Sequence, residues 1–411
     1  MQVYIGIDWS ENKHDVALVN NAGAILAQFT IPHAPDGFAK FDATRRDMGF
    51  GVGECLVGLE TAHNLLVDFL WARGYSNVYV IPPSVTKSRR KRYGQTNAHT
   101  DRDDAYLLAD LLRTDKHRLQ PWRPDLPLTR HMRAKVSLLL YLSRSCVRLS
   151  NRLRAVLLRY YPLPLEVFCN HDAPITLKFI CRYPTPQAAA AMTYEEFETF
   201  AREHRYSRPR KLPGCFAKIQ SPQLRADPEV TTIYQEEAVT LAKLLLEMIQ
   251  VKKQTQKELT SLFEQHPDHQ IFDSLPGAGA LLAPALLVKF GDDRERFPTA
   301  ASVQALAGTC PVTEWSGKRK VIKFRWACDR EFRHIAQQWA MESLRMSVWA
   351  NGYYQQIRRR CHSKSHAYRC LANRWLAVVW KLWQTGETYD EAYHLRRRAE
   401  RSRPKNVIFI K

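Results

Sequence analysis

The chain has 411 residues, 45% hydrophobic and 25% charged, which excludes a disordered or fibrous protein and allows two or three domains with buried cores. Sixty-one Lys and Arg against 41 Asp and Glu give a net charge of +20, distributed along the whole chain, so the expected partner is a polyanion bound through its phosphates. No apolar run is long enough to span a bilayer, and the opening Met1-Gln-Val-Tyr-Ile-Gly-Ile-Asp8 is strand-like, without the segments of a secretory signal. Nine scattered cysteines, an odd number without CxxC pairs, point to a reduced cytoplasm.

Val3 to Ile7 reads as a short buried strand. Asp15–Asn20 and Ala24–Ile31 read as its hairpin partners, joined by the turn Asn20-Asn21-Ala22-Gly23. A helix over about 36–47, a strand at Cys55–Leu59 ending at Glu60, a helix at Leu65–Ala72 and a strand at Val78–Ile81 follow, stopped by Pro82-Pro83. Three antiparallel strands followed by strand–helix alternation predict a mixed sheet like that of ribonuclease H. Residues 128–160 then predict a long helix, because Leu139, Leu142, Cys146, Leu149, Leu153, Val156 and Tyr160 follow coiled-coil spacing. Residues 231–263 repeat the pattern with Tyr234, Ala238, Leu241, Leu245, Met248, Thr255, Leu259 and Leu262, weakened where Lys252 falls on the seam. These helices can pair with each other or with another protomer. The Pro-rich segment 161–230 reads as an irregular inserted subdomain with a helical patch near Thr193–Arg202. After the loop Leu275-Pro-Gly-Ala-Gly279 the chain turns helical, and 394–405 reads as a basic tail that orders on meeting a partner.

Four acids stand out. Asp8 ends the first strand, Glu60 ends a later one, and Asp101 and Asp104 lie three apart at the start of an amphipathic helix, on one face. Any one of them alone is ordinarily a cap or a solvated charge. Together they suit Mg2+, with Mn2+ serving as well, because hard cations take carboxylate oxygens and phosphodiester chemistry uses such clusters.

At these residues the chain resembles transposases of the insertion sequence 110 family, which includes the Piv-type invertases. The matching pieces are YIGID with Asp8, LETAHN with Glu60, TDRDDA with Asp101 and Asp104, then SLPGAGALLAPALL, ALAGTCP and EWSG. Their order and spacing agree over most of the chain. Departures are Thr61-Ala62-His63 where members often read Ala-Thr-Gly, the pair Glu314-Trp315 before the serine, and a 161–230 segment longer than in compact members. The resemblance implies an α/β plus α fold. Its parts are a RuvC-like DEDD domain over 1–118, a coiled-coil spacer over 119–266, a mainly helical transposase domain with a helix-hairpin-helix-like turn over 267–393, and a basic tail over 394–411. It also implies a serine recombination nucleophile, falling on Ser316, and a structured guide RNA encoded by the element, the bridge RNA, pairing with donor and target double-stranded DNA. A bacterial, nucleoid-associated location and a homo-oligomer, dimer or tetramer, go with that reading.

By its residues alone, Ser316 before Gly317 is an ordinary turn serine. Lys318, Arg319 and Lys320 add groups that can hold a scissile phosphate and stabilise an alkoxide. Gly277 and Gly279 can offer backbone N–H groups to a phosphate, or simply make a tight turn. Arg144, Arg148 and Arg152 form an i, i+4 row of like charges that favours an anion along it, as do Arg89-Arg90-Lys91-Arg92 and Arg358-Arg359-Arg360. Trp375, Trp380 and Trp383 read as helix core. Cys361, His362, His366 and Cys370 have metal-like spacing, but no finger surrounds them and the neighbouring arginines suit phosphate better.

Three functions compete on these residues. The first is a recombinase joining DNA through a serine. The second is a hydrolytic nuclease or junction resolvase using the same carboxylates. The third is an architectural nucleic-acid binder with a decayed site. A sugar-kinase-like ATPase also opens with Gly-Ile-Asp, but it requires a Gly-Thr phosphate loop where this chain has Trp9-Ser10-Glu11.

Overall fold

The computed structural model describes residues 2–61, 65–83, 85, 86, 100–168, 170–317 and 319–402. The chain divides into two compact units, 1–125 and 126–411.

The first unit is a five-stranded mixed sheet. Strands β1 (Val3–Trp9), β2 (Lys13–Val19), β3 (Ile25–Pro32), β4 (Cys55–Leu59) and β5 (Val78–Val80) lie in the order β3-β2-β1-β4-β5. The β1–β2 and β2–β3 pairs are antiparallel, whereas β1–β4 and β4–β5 are parallel. The expected mixed sheet is therefore present. β1 is the central strand, paired on both edges, and helices cover both of its faces, as its apolar run requires. Val3, Ile5 and Ile7 pack with Phe41, Leu66, Val67 and Leu70 of helices Pro35–Asp47 and Leu65–Ala72. Tyr4, on the opposite face, packs with Leu107, Leu108 and Leu111 of helix Asp101–Asp115.

Gly6 lies on that second face and sets the spacing between helix and strand. A Cβ at Gly6 would fall on the Ala105 carbonyl oxygen and 2.6 Å from the Ala109 backbone nitrogen. Backbone lies behind both atoms, so only glycine lets the helix approach this closely.

The second unit is built on two long helices, Pro127–Tyr160 and Pro228–Glu264. They pair with each other within the chain. Lys135 reaches Glu258 at 2.5 Å and Arg152 reaches Glu237 at 2.6 Å, so the two run antiparallel. The seam residues Leu139, Leu153, Val156, Ala238, Leu245 and Leu259 are buried. At one end of the pair, Leu139, Leu259 and Phe263 join a core with Trp339, Trp375 and Trp383 of the C-terminal helices. At the other, Leu153, Tyr160, Ala238 and Leu245 join a second core with Phe179, Phe197 and Phe200.

Residues 161–230 correct the expectation of an irregular segment. They fold into helices Leu163–Val167, Pro174–Arg182, Pro186–Ala190, Tyr194–Glu203 and Leu212–Gln220. Four of the five carry proline in the first turn, where its missing N–H costs no hydrogen bond. The prolines start helices there instead of breaking them. Two further differences lie nearer the C-terminus. Strands β6 (Val312–Ser316) and β7 (Arg319–Lys323) form an antiparallel hairpin that the sequence reading lacks. Helix Glu391–Ser402 also takes up the first half of the expected tail 394–411, whose last residues 403–411 fall outside the described ones.

Gly6→Ala should destabilise the N-terminal unit by about 3 kcal/mol, at the upper end of overpacking costs. Urea denaturation followed by circular dichroism checks this, and a change below about 0.5 kcal/mol would show that the helix yields to a methyl group.

Candidate functional site

Asp8 is the residue after Ile7, which pairs with Leu59 across the parallel β1–β4 ladder, and Glu60 follows Leu59 directly. The two acids therefore emerge side by side at the carboxyl ends of adjacent parallel strands. Helix Asp101–Asp115 packs on β1 and brings its N-terminal turn to the same end. That turn holds three acids, and the structure separates their roles. Thr100 caps the helix, and Asp103 closes the capping box by accepting from the Thr100 N–H at 3.0 Å and the Thr100 hydroxyl at 2.8 Å. Asp101 and Asp104 act on Asp8.

The electrostatics of Asp8 record this convergence. Its carboxyl is pushed from the ordinary 3.8 up to about 7, first by burial, then by the charges of Asp104, Asp101, Glu60 and Asp15. The other three predicted acids therefore each lie within electrostatic reach of Asp8. Thr86, itself buried, donates to Glu60 Oε1 at 2.6 Å and orients that carboxylate.

Two participants escaped the sequence reading. Asp15 stands opposite Asp8 in the β1–β2 register, is buried, and accepts from the Thr30 hydroxyl at 2.6 Å. Lys13 lies 3.3 Å from Asp101 and 3.7 Å from Asp15, placing one cation among these acids. Both occupy the strand that follows Asp8 and were legible only as strand residues, because their importance depends on the hairpin register.

Ser316 ends β6, beside Gly317, whose φ of 55° makes the turn into β7. Arg319 pairs with Ser316 across the hairpin, and Lys320 lies 4.9 Å over the ring of Trp315. Glu314 pairs with Lys323 at 2.6 Å. Ser316 and Arg319 are exposed, and so is Trp315, at 69%. The hairpin thus presents a serine, basic groups and an aromatic face to solvent. Lys318 lies outside the described residues.

The remaining basic candidates divide. Arg144 meets Glu331 at 3.3 Å, and Arg152 forms a two-pronged pair with Glu237 at 2.6 and 3.0 Å. Arg148 donates to Ser145 at 3.0 Å. Carboxylates of the chain itself balance two of the three charges, and spacing within one helix could not reveal partners on others. Arg359 and Arg360 are exposed, whereas Arg358 donates to the Cys361 carbonyl at 3.0 Å. Arg89, Arg90, Lys91 and Arg92 lie outside the described residues.

Gly277 has φ of 74°, and a Cβ there would meet the Glu342–Ser343 backbone at 2.8–2.9 Å, so its smallness serves helix packing. Gly279 is exposed, has open space around it, and starts helix Gly279–Phe290. Trp375 and Trp383 are fully buried and Trp380 is partly so, as expected of helix core.

Among the described residues no helix is long and apolar enough to cross a membrane. Comparison with known proteins matches both units. Residues 5–162 match the family model for DEDD transposases of the IS110 type, and residues 269–355 match the model described as transposase IS116/IS110/IS902 family. A protein of Streptomyces coelicolor assigned as the mini-circle transposase for IS117 is 30% identical over 407 residues, covering 95% of this chain and 96% of that protein. An uncharacterized protein of insertion element IS110 from the same organism is 26% identical over 94% of this chain and 95% of its own length. The uncharacterized protein of insertion element IS900 from Mycobacterium paratuberculosis is likewise 26% identical, over 95% and 98%. This chain belongs to the IS116/IS110/IS902 transposase family and is a DNA transposase of the insertion-element type.

Proposed function

We propose that the chain cuts and rejoins donor and target DNA through a covalent bond between Ser316 and a DNA phosphate, assisted by a divalent cation on Asp8, Glu60, Asp101 and Asp104. The observation that carries this reading is the convergence of those four carboxylates at the end of two parallel strands, with Asp8 raised first by burial and then by its neighbours' charges. We read the N-terminal sheet, with its order β3-β2-β1-β4-β5, as RuvC-like on the same grounds.

The donor set fits the cation. Every group is a carboxylate oxygen, the preference of Mg2+ or Mn2+, and the mutual repulsion recorded at Asp8 is what a bound cation relieves. A cation held there would supply Lewis-acid polarisation of a phosphate oxygen and orient the reacting strand. The chain's own residues do the rest. Thr86 fixes the rotamer of Glu60, and Lys13 holds Asp101. The Ser316 oxygen, losing its proton, bonds to phosphorus as the bond to one DNA oxygen breaks and that strand end leaves as a hydroxyl. Arg319 is placed to neutralise the phosphate. Because the phosphoserine link conserves the phosphodiester's bond energy, a DNA hydroxyl can reverse the attack and join the strand to a new partner.

Guidance by a structured RNA of the element and assembly as a dimer or tetramer complete the reading. The resemblance supports the first and the need to cut several strands the second, and the charge of +20 suits a protein that holds RNA and DNA together.

Incubation with donor DNA, target DNA and element RNA should give a protein–DNA adduct that survives denaturation, absent in Ser316→Ala and retained in Ser302→Ala. Strand cleavage persisting in Ser316→Ala would instead identify water as the nucleophile and a hydrolytic nuclease.

The pH dependence tests the metal site. A carboxyl raised from 3.8 to about 7 stabilises the metal-free fold below pH 3.8, and that stability is lost as pH rises through 7. In chelator, Asp8→Asn should therefore stabilise the protein by about 1–2 kcal/mol at about pH 8.5, after allowance for solvent screening, by roughly a third of that at about pH 5, and not at all below about pH 3.5. Adding Mg2+ at the higher pH should raise the melting temperature of the wild type and leave that of Asp8→Asn unchanged. Equal responses in both proteins would remove Asp8 from the site.

A further inference from the structure

The strongest chemistry outside the carboxylate cluster and the hairpin lies between two C-terminal helices. Helix Val348–Arg358 ends in a short turn, and helix Lys364–Thr385 begins after it. The Cys361 Sγ, a His366 ring nitrogen and the Cys370 Sγ there lie within 4.8 Å of one another, and this trio alone among the described residues brings three such ligand atoms so close.

Each ligand is held by its own backbone. The Cys361 N–H donates to the Ile357 carbonyl at 3.0 Å, and the Cys361 carbonyl accepts from Arg358 at 3.0 Å. His366 sits in the first turn of its helix, where its N–H donates to the capping Ser363 hydroxyl at 3.2 Å. Cys370 follows His366 by one helical turn, so both side chains leave the same face. All three are partly buried, out of reach of bulk water on one side. His362 is exposed and near enough to act electrostatically on His366. Among the neighbouring arginines, the charge of Arg369 reaches both His366 and Cys370. Arg358 is on the Cys361 carbonyl, and Arg369 lies 4.7 Å over the Phe324 ring.

We infer that Cys361, His366 and Cys370 bind a structural Zn2+ ion, with His362 closing the tetrahedron. Two thiolates and imidazole are borderline-soft donors that select zinc over the hard cations suited to the carboxylate site. Zinc–sulfur and zinc–nitrogen bonds of about 2.3 and 2.0 Å place tetrahedral ligand atoms about 3.5–3.8 Å apart. The trio needs to contract by only about an ångström to reach that spacing. Three chain ligands already converge, so the ion adds a link instead of organising an unfolded segment. The link ties the 359–363 turn, which carries exposed Arg359 and Arg360, to the helix that bears Trp375 and Trp383 of the core. The ion would make a basic turn rigid where it faces solution.

The test uses the full chain, purified in reducing buffer without chelator. Elemental analysis should find about one zinc per chain, falling at least about fivefold in Cys370→Ser and His366→Ala and persisting in Cys146→Ser. Reloading the wild type with Co2+ should produce thiolate-to-cobalt charge-transfer absorption, which carboxylate ligands cannot give. A variant that fails to fold would lose zinc as well, so a mercurial thiol reagent is titrated into the wild type in parallel, with zinc release expected to accompany thiol modification. Zinc retained in Cys370→Ser, thiols modified with no zinc released, or a Cys361–Cys370 disulfide in the native protein would each overturn the inference.

Discussion

The approach of helix Asp101–Asp115 to strand β1 is the constraint on which the N-terminal unit depends. An ordinary side chain at position 6 would hold the helix away from the sheet, because backbone of Ala105 and Ala109 occupies the space of its Cβ. With glycine there, and small alanines facing it, the first helical turn arrives at the end of β1 where Asp8 emerges. The charge crowding at Asp8 is the electrostatic result of that packing. Site and scaffold are thus one decision: a spacing set by a missing methyl group fixes which acids can act together. The capping box refines it further by drawing Asp103 to Thr100, so that a run of acids acquires separate duties.

The second unit places chemistry differently. Its helices bury tryptophans, two of which place their indole N–H groups on partners, Trp339 on the Pro276 carbonyl and Trp375 on the Ser343 hydroxyl, and this core fixes the chain on either side of β6 and β7. The hairpin itself buries little. A two-stranded ribbon is marginal on its own, so β6 and β7 suit contact with a partner that supplies the missing face. On the proposed reading, that partner is the nucleic acid.

Much of this architecture was legible in the sequence. The alternation of strands and helices, the turn at Asn20–Gly23 and the seams of the long helices carry strong periodicities, and Asp8, Glu60, Asp101 and Asp104 fall at element ends where carboxylates can meet. The exceptions have physical causes. The β6–β7 hairpin, Thr313-Glu-Trp-Ser followed by Arg319-Lys-Val-Ile-Lys323, is open to solvent on both faces and so has no apolar alternation to betray it. The prolines of 161–230 announce breaks, yet a proline in a first helical turn breaks nothing. Arg144 and Arg152 find their counter-charges on elements distant in the chain, and Asp15 matters through strand register. Long-range pairing of this kind leaves no local mark.

The paired long helices carry a consequence of another order. At about 1.5 Å per residue, the 34 residues of Pro127–Tyr160 extend about 50 Å, with a separate hydrophobic core gathered at each end. Residues 161–230 fill the farther core, entering and leaving through adjacent helix ends. Replacing or shortening that stretch rewrites one core and leaves the tryptophan core's own contacts intact. The arrangement lets evolution treat the end of the helical pair as an exchangeable head, free to drift toward new partners while the machinery at its base stays under constraint.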